Sequence, residues 1–128
     1  DELWFFLTAQ DFHLGDSSRY FMYSRDGSET VQNGYDSRAP IRIASSYLPI
    51  GYRVVAYEVY TNSARPLLFR ISPFDGTATA VVDSGTTNTI NGLATPYTTV
   101  VGEYVSLLVQ TDRASTQVYG GRIRLIKA

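Results

Sequence analysis

The chain has 128 residues and a formal net charge of −1, so it is long enough for one domain that buries about two-thirds of its unfolded surface. That charge provides no basic footprint for nucleic acid. The absence of Cys excludes disulfides, thiolate zinc sites and a cysteine nucleophile. No apolar run approaches the roughly 20 residues that span a bilayer. We therefore expect a single domain over residues 1–128 that binds neither nucleic acid nor membrane.

The N-terminal third contains an apolar strand followed by mostly polar segments. The order is a strand at residues 3–8, a loop at 10–18, a short strand at 19–24, a loose polar region at 26–39, and a strand at 40–44. In the last of these, alternation predicts that Ile41 and Ile43 face the core and Arg42 faces solvent. We assign residues 1–39 to an N-terminal interface strand and loop segment.

The most strongly specified strand is 48–60, Leu-Pro-Ile-Gly-Tyr-Arg-Val-Val-Ala-Tyr-Glu-Val-Tyr. Pro49 and Gly51 predict a tight entry turn, and the β-branched and aromatic residues that follow are typical of a strand. Alternation assigns one face to Val55, Tyr57 and Val59. It assigns the wetter face to Val54, Ala56, Glu58 and Tyr60.

The rest of the chain repeats this pattern. Thr61 to Arg65 is a hairpin-like connection, and the next strands are 66–72, with Leu67, Phe69 and Ile71 on one face, and 77–82. Residues 83–96 predict a long connection with a short strand at 89–91. Val105, Leu107 and Val109 share a face of the strand 103–111, and the last strand, 117–127, groups Tyr119, Ile123 and Leu125. The pair Gly120-Gly121 predicts a bulge or bend there.

This pattern predicts an all-β fold, because no window has the helical period of apolar residues and turn signals recur every 8–12 residues or so. About eight to ten short strands would leave one sheet face bare in a single layer. We therefore expect a two-sheet antiparallel β-sandwich, jelly-roll or immunoglobulin-like.

No catalytic, cofactor or metal site is expected. His13 lies between Asp11 and Asp16, and a triad could recruit Ser17 or Ser18, but no Gly-x-Ser-x-Gly elbow supports it. Calcium needs about six to eight oxygen ligands. Neither these acids nor the tetrapeptide Asp-Gly-Ser-Glu at 26–29 has EF-hand spacing.

Binding surfaces are the more promising candidates. Arg122 and Arg124 beside Arg70 could form one basic strip that, with interleaved tyrosines, suits a protein interface or an acidic glycan. Tyrosines at loops or strand edges can also stack on sugar rings, and three of the ten tyrosines qualify: Tyr35, Tyr47 and Tyr97.

The N-terminal strand is a third candidate surface. Burying alternate residues only would leave rings in water at a cost of roughly 1.5–3 kcal/mol each. We therefore expect a subunit or capsid interface at the five apolar residues Leu3, Trp4, Phe5, Phe6 and Leu7.

Four segments resemble small structural proteins of tailed bacteriophages, especially those that infect cyanobacteria. They are the strand 48–60, Asp83-Ser84-Gly85-Thr86, the run Tyr-Val-Ser-Leu-Leu-Val at 104–109, and Val-Tyr-Gly-Gly-Arg-Ile at 118–123. The phage proteins have a similar Ile-Pro-x-Gly-Tyr-Lys-Ala-Thr opening, a Val-x-Val-Tyr strand and a closing Tyr-Gly-Gly-Tyr-Val. The resemblance covers about residues 40–127, and Arg122 stands where the family often has an aromatic residue.

The resemblance implies a non-enzymatic capsid cement or decoration protein on the exterior of the virion. Its expected partners are the major capsid protein and two further copies of itself in a homotrimer. The alternative hypothesis is a carbohydrate- or receptor-binding module of a phage tail or fibre, and only that hypothesis predicts a glycan partner.

Overall fold

The structure is a computed structural model that describes residues 2–14, 22–24, 31–33, 41–75, 80–111 and 116–128, with 13–14, 22–24, 31–33 and 41–42 described by their backbone alone. Several predictions fall outside these ranges. They concern the side chain of His13, the residues Asp16, Ser17 and Ser18, the tetrapeptide at 26–29, and Tyr35.

The described residues form eleven β-strands and one 3-10 turn (Ala9–Asp11), and eight of the strands have six or more residues. The strands are β1 (Glu2–Thr8), β2 (His13–Leu14), β3 (Met22–Ser24), β4 (Val31–Asn33), β5 (Ile41–Ser46), β6 (Tyr52–Thr61), β7 (Pro66–Pro73), β8 (Ala80–Thr86), β9 (Asn91–Thr98), β10 (Glu103–Gln110) and β11 (Gln117–Lys127). None of the described helical segments is long and apolar enough to cross a membrane.

Two antiparallel sheets pack face to face, so the predicted all-β sandwich is confirmed. The six-stranded sheet has the order β3-β4-β11-β6-β9, and β1 pairs with the same edge of β11 as β4. The five-stranded sheet has the order β2-β5-β10-β7-β8. The two sheets meet where the ring of Tyr57 from β6 stacks on Phe69 from β7, with centroids 5.3 Å apart.

The regular strands follow the predicted alternation. In β7, Leu67 and Phe69 are fully buried and Ile71 packs against them. In β10, Val105, Leu107 and Val109 belong to the same core. Period-2 alternation places these side chains on one face without further information.

The predicted faces of β6 are wrong at Val55. Val54, Tyr57 and Val59 are the residues of this strand that belong to the hydrophobic core. Toward β11, Val54 pairs with Leu125 and Ala56 with Arg124, which makes Val55 an extra, unpaired residue. The pairing with β9 is irregular at the same point. Such a bulge moves each side chain beyond it to the opposite face.

The predicted irregularity near Gly120 is confirmed, but it changes the face of Tyr119. The register of β11 against β6 shifts between Val118 and Gly120. Val118 is therefore fully buried with Ile123 and Leu125, and Tyr119 is 46% exposed.

The predicted faces of β5 are also wrong, because Ala44 lies in the core and Ile43 does not. Ile43 pairs with Leu108 on the opposite face of the five-stranded sheet. A small residue suffices at Ala44 because the large side chains of β10 fill that part of the core.

Two predicted connections differ in the structure. Residues 83–96 are mainly strand, belonging to β8 and β9, and only 87–90 connect them. The turn is held by the side-chain amide of Asn91, which accepts from the Thr86 amide and donates to the Thr86 and Thr89 carbonyls. Residues 62–65 join β6 to β7 across the two sheets and form no hairpin.

The entry turn to β6 is present and requires glycine. Gly51 has φ of 90°, in the left-handed region where side chains with Cβ are strained. The Thr99 hydroxyl beside it donates to the Pro49 carbonyl at 2.7 Å and accepts from the Tyr52 amide at 3.2 Å.

Candidate functional site

Each sheet has an outer face that combines aromatic and arginine side chains. We call the first the six-stranded face; it comprises the outward side chains of β1, β6 and β11, namely Trp4, Phe6, Glu58, Tyr60, Arg122 and Arg124. We call the second the five-stranded face; it comprises Ser45, Tyr47, Arg70, Ser72, Tyr104 and Ser106. The two faces differ in whether the Nε atoms of their arginines have hydrogen-bond acceptors.

The polar groups of the six-stranded face pair with one another. Glu58 is only 1% exposed, forms an ion pair with Arg122, and accepts a hydrogen bond of 2.6 Å from the Tyr60 hydroxyl. That hydrogen bond is the main reason why the pKa of Tyr60 lies above its ordinary value. The prediction that Glu58 marks a wet face is therefore wrong, since its carboxylate is buried and neutralised.

The aromatic side of this face is partly covered by the same guanidinium. The Arg122 Cζ atom lies 3.9 Å from the ring centroid of Trp4, and Arg124, which pairs with Glu2, lies at 5.9 Å. A cation above an indole ring is attracted by the negative face of the ring. Trp4 thus has an intramolecular cover, whereas its neighbour Phe6 stays 66% exposed.

The predicted basic strip is wrong. Arg122 and Arg124 project from β11 in the six-stranded sheet, and Arg70 projects from β7 in the five-stranded sheet. Because both faces point outward, the core of the sandwich separates Arg70 from the other two. The alternation of each strand was predicted, but membership of a sheet depends on the long-range pairing.

The five-stranded face carries two tyrosines at one end. Tyr47 directly follows β5 and is 62% exposed, and Tyr104 begins the outward row of β10. Their ring centroids are 5.5 Å apart at an interplanar angle of 59°. Tilted rings at this distance support each other and still present a free ring face.

A row of polar side chains crosses the sheet next to the tyrosines. Ser45 on β5 is opposite Ser106 on β10, and Ser106 is opposite Arg70 on β7. The two serine hydroxyls are 3.0 Å apart and share one hydrogen bond. Ser106 is buried, so the exposed Ser45 hydroxyl is the one that keeps capacity for a further hydrogen bond from outside. The Arg70 Nε atom is buried and has no hydrogen-bond partner.

A cleft of about 320 Å³ opens at this end of the face. Among the described residues it is lined by Ser45, Ser46, Tyr47 and Tyr104. Its volume is at the lower end of the range for small-ligand sites. Tyr47 was one of the three tyrosines predicted to stack on sugar rings, and Tyr104 was not; the cleft brings the two together.

A second cleft, of about 260 Å³, lies at the margin between the sheets. Its lining comprises Ile71, Pro73, Ala80, Val82, Tyr97 and Glu103. The Tyr97 hydroxyl donates to Glu103 at 2.7 Å, and partial burial together with this hydrogen bond raises the pKa of the phenol. The main polar pair of this cleft is therefore already satisfied internally.

The acids near the N-terminus have a structural role. Asp11 accepts hydrogen bonds from the backbone amide of Thr8 at 2.7 Å and from its hydroxyl at 3.2 Å, which fixes the 3-10 turn. In the described part of the chain, no three His, Cys, Asp or Glu residues gather closely enough to hold a metal ion.

No protein-family model and no curated protein match the chain. Solved structures are similar to it in fold. The CBM36-1 domain of a multidomain xylanase from the hindgut metagenome of Trinervitermes trinervoides superposes with a TM-score of 0.50 at 8% identity, covering 98% of each chain.

A second solved structure contains the CBM22-1 and GH10 modules of xylanase 10B from Clostridium thermocellum, complexed with xylohexaose. It superposes with a TM-score of 0.50 at 10% identity, over 95% of this chain and 27% of that chain. At these identities the likeness establishes a shared fold. Both structures contain carbohydrate-binding modules.

Proposed function

We propose that this β-sandwich is a non-catalytic carbohydrate-binding module whose ligand lies across the five-stranded face. The observation that carries the proposal is the exposed Tyr47 ring, which is braced by Tyr104 over a cleft lined by serine hydroxyls. The fold shared with the two xylanase structures supports the same function. This is the alternative hypothesis from the sequence, and the structure favours it over capsid cement.

The chemistry of a sugar matches the two halves of the cleft. A pyranose has an apolar C–H face that can lie on an aromatic ring and a rim of hydroxyls that need hydrogen-bond partners. Tyr47 presents the ring and Ser45 presents an exposed hydroxyl, which the buried Ser106 on the neighbouring strand holds in place. Since these side chains lie on paired strands, the sheet fixes their spacing before the ligand arrives.

The proposed role is binding without hydrolysis. Glycoside hydrolysis ordinarily requires a carboxylic acid and a second carboxylate on opposite sides of the scissile bond. The described lining of the cleft consists of serine hydroxyls and tyrosine rings. Such groups orient a sugar but supply neither of the two carboxyl groups.

Affinity electrophoresis and isothermal titration calorimetry with a panel of soluble polysaccharides and oligosaccharides, including xylohexaose, test the proposal. We expect at least one glycan to bind the intact chain. Tyr47→Ala should weaken that binding at least about tenfold, which corresponds to 1.4 kcal/mol, and Tyr104→Ala should do the same.

Tyr119→Ala is the matched control, because Tyr119 is an exposed tyrosine of the other sheet. It should leave glycan binding unchanged. Failure of every glycan to bind, or equal loss with the Tyr47 and Tyr119 variants, would refute the proposed site.

A capsid cement protein is the second candidate, and one observation favours it. The strand β1 pairs only with β11 among the described strands, and it leaves Phe6 and Leu3 exposed beside a free strand edge. The hypothesis that residues 3–7 form a subunit or capsid interface, and that the protein is a homotrimer on the virion exterior, predicts a trimeric mass in solution. Phe6→Ser should then yield a folded monomer; a monomeric mass for the unmodified chain would contradict it.

A further inference from the structure

We propose that the five-stranded face selects acidic glycans, with Arg70 as the subsite for the carboxylate of a uronic acid whose ring lies on the tyrosines. This inference rests on the proposed function of the same face. It assigns a ligand class, an anionic sugar, which the fold likeness does not specify.

The position of Arg70 suits this role. Arg70 is opposite Ser106 in the register of β7 and β10, and Tyr104 is opposite Ser72 two residues away on the same face. Arg70 and Tyr104 are therefore diagonal neighbours, which lie about 7–8 Å apart and within reach of long side chains. A guanidinium at this position can contact a substituent of a ring that rests on the tyrosines.

Arg70 differs from the other arginines whose contacts are described. The Nε atom of Arg65 donates to the Gln110 carbonyl at 2.9 Å. The Nε atoms of Arg122 and Arg124 donate to Glu58 and Glu2. The Nε atom of Arg70 is buried and has no acceptor, a state that ordinarily costs a protein stability.

No described side chain beside Arg70 competes for a bound anion. Its partners across the neighbouring strands are Ser106 and Val81, and its neighbours on the same face of β7 are Leu68 and Ser72. None of these four side chains is acidic. The Nε atom itself is buried, so an incoming carboxylate would meet the outer nitrogens of this partly exposed guanidinium. In surroundings that are partly shielded from water, a charge-assisted hydrogen bond to them is strong.

The geometry of the guanidinium favours a carboxylate. Its planar set of N–H donors matches the two oxygens of a carboxylate in a bidentate arrangement. A uronic acid places that group directly on a pyranose ring, so one sugar unit can use both Arg70 and the aromatic surface. The exposed hydroxyl of Ser45 then bonds to a hydroxyl of the same ring.

The test compares a polyuronate oligosaccharide, its fully methyl-esterified form, and a sulfated polysaccharide by calorimetry with the intact chain. Esterification removes the charge and keeps the ring. We expect the free acid to bind at least about tenfold more tightly than the ester, and its affinity to fall as salt is raised. Tighter binding of the sulfated polysaccharide than of the uronate would overturn the assignment to a carboxylate.

Three variants complete the design, each checked for an unchanged far-ultraviolet circular dichroism spectrum. Arg70→Gln should abolish the preference for acid over ester by weakening acid binding far more than ester binding, whereas Tyr47→Ala should weaken both to the same extent. Arg70→Lys should keep only part of the preference for acid over ester, since an ammonium is a point charge without the planar fork.

Equal binding of acid and ester, or equal losses of both with Arg70→Gln, would refute the acidic subsite while leaving the proposed function intact. Binding of no sugar at all would refute the proposed function itself.

Discussion

The two outer faces use the same kinds of side chains in opposite ways. On the six-stranded face, Arg122 neutralises the buried Glu58 and covers the ring of Trp4. On the five-stranded face, Arg70 has a buried Nε atom without an acceptor, and Tyr47 has an exposed ring. One face pairs its arginines and covers its indole ring, and the other has an arginine Nε atom without an acceptor and an exposed tyrosine ring.

This difference separates stabilisation from binding. A buried carboxylate is tolerated only when it is paired, so Arg122 is needed for the fold. An unpaired buried donor lowers stability, so Arg70 has no evident structural use. Functional sites commonly contain residues that are unfavourable for stability, and this supports placing the site on the five-stranded face.

The largest effect should come from disrupting the contacts among Glu58, Tyr60 and Arg122 on the six-stranded face. Arg122→Met leaves the Glu58 carboxylate buried without its counter-ion, which typically costs about 3–5 kcal/mol. Because the Arg122 side chain is itself 35% exposed, we expect a loss near 3 kcal/mol in the free energy of unfolding, measured by urea denaturation. Fluorescence of Trp4, the only tryptophan, should also change as its cation is removed.

Arg124→Met is the matched control, since Arg124 lies on the same strand, faces the same way and also contacts Trp4. Its pair with Glu2 is more than 40% exposed on both sides, so its loss should cost no more than about 1 kcal/mol. Equal losses for the two variants would mean that the Glu58 pair is not a buried ion pair.

A smaller effect should follow from adding one methyl group between the strands of the same face. A Cβ atom at Gly121 would lie 2.5 Å from the Glu58 carbonyl oxygen. Gly121→Ala must therefore separate β11 from β6, and overpacking of this kind costs about 1–3 kcal/mol. The loss should appear as a lower urea midpoint.

Gly92→Ala in the same sheet is the control, because its nearest non-neighbouring atom is 3.9 Å from the added Cβ. It should change stability by less than about 1 kcal/mol. A midpoint for Gly121→Ala that equals that of Gly92→Ala would show that β11 and β6 are less tightly paired than the structure indicates.

Local patterns predicted the strands but not their irregularities. The alternation of Leu67, Phe69 and Ile71 holds because β7 pairs regularly with β10 along this stretch. At Val55 and Tyr119 the same rule fails, because one extra residue shifts the register. Neither residue signals a bulge by its type, and only the neighbouring Gly120-Gly121 gave warning in the second case.

The candidate site could be predicted only in part. Tyr47 was accessible to sequence reasoning, since it follows a strand and precedes a turn. Arg70 was identified as a candidate but grouped with Arg122, because the assignment of each strand to a sheet depends on contacts between distant residues. The exposed Ser45 and buried Ser106 give no signal by themselves; their significance comes from the pairing of β5 with β10.

On the five-stranded face, removing the unpaired cation should affect stability only slightly. Arg70→Met keeps an apolar stem of similar length and removes the buried Nε atom that lacks an acceptor. We expect the free energy of unfolding to stay within about 1 kcal/mol of the original, or to rise. The same substitution at Arg122 should cost about 3 kcal/mol, so the two Met variants compare the faces directly. A loss above about 2 kcal/mol would show that Arg70 has a structural role.

The smallest expected effect is the pH dependence of stability that arises from Tyr60 on the six-stranded face. The hydrogen bond from the Tyr60 hydroxyl to Glu58 raises the pKa of Tyr60 in the folded chain above its ordinary value near 10. Below pH 10 this contribution to stability is fully present, and it is lost as the pH rises above 10, because the unfolded chain then binds fewer protons than the folded one. Melting temperatures measured from pH 8 to pH 11 should therefore fall less steeply above pH 10 for Tyr60→Phe than for the original chain.

Tyr119→Phe is the control, since the Tyr119 hydroxyl contacts the neutral amide of Gln117. Because Tyr60 is 42% exposed and solvent screens its contact, the change in slope should be small. An identical change in slope for both variants would assign it to the loss of a phenol rather than to the network around Glu58.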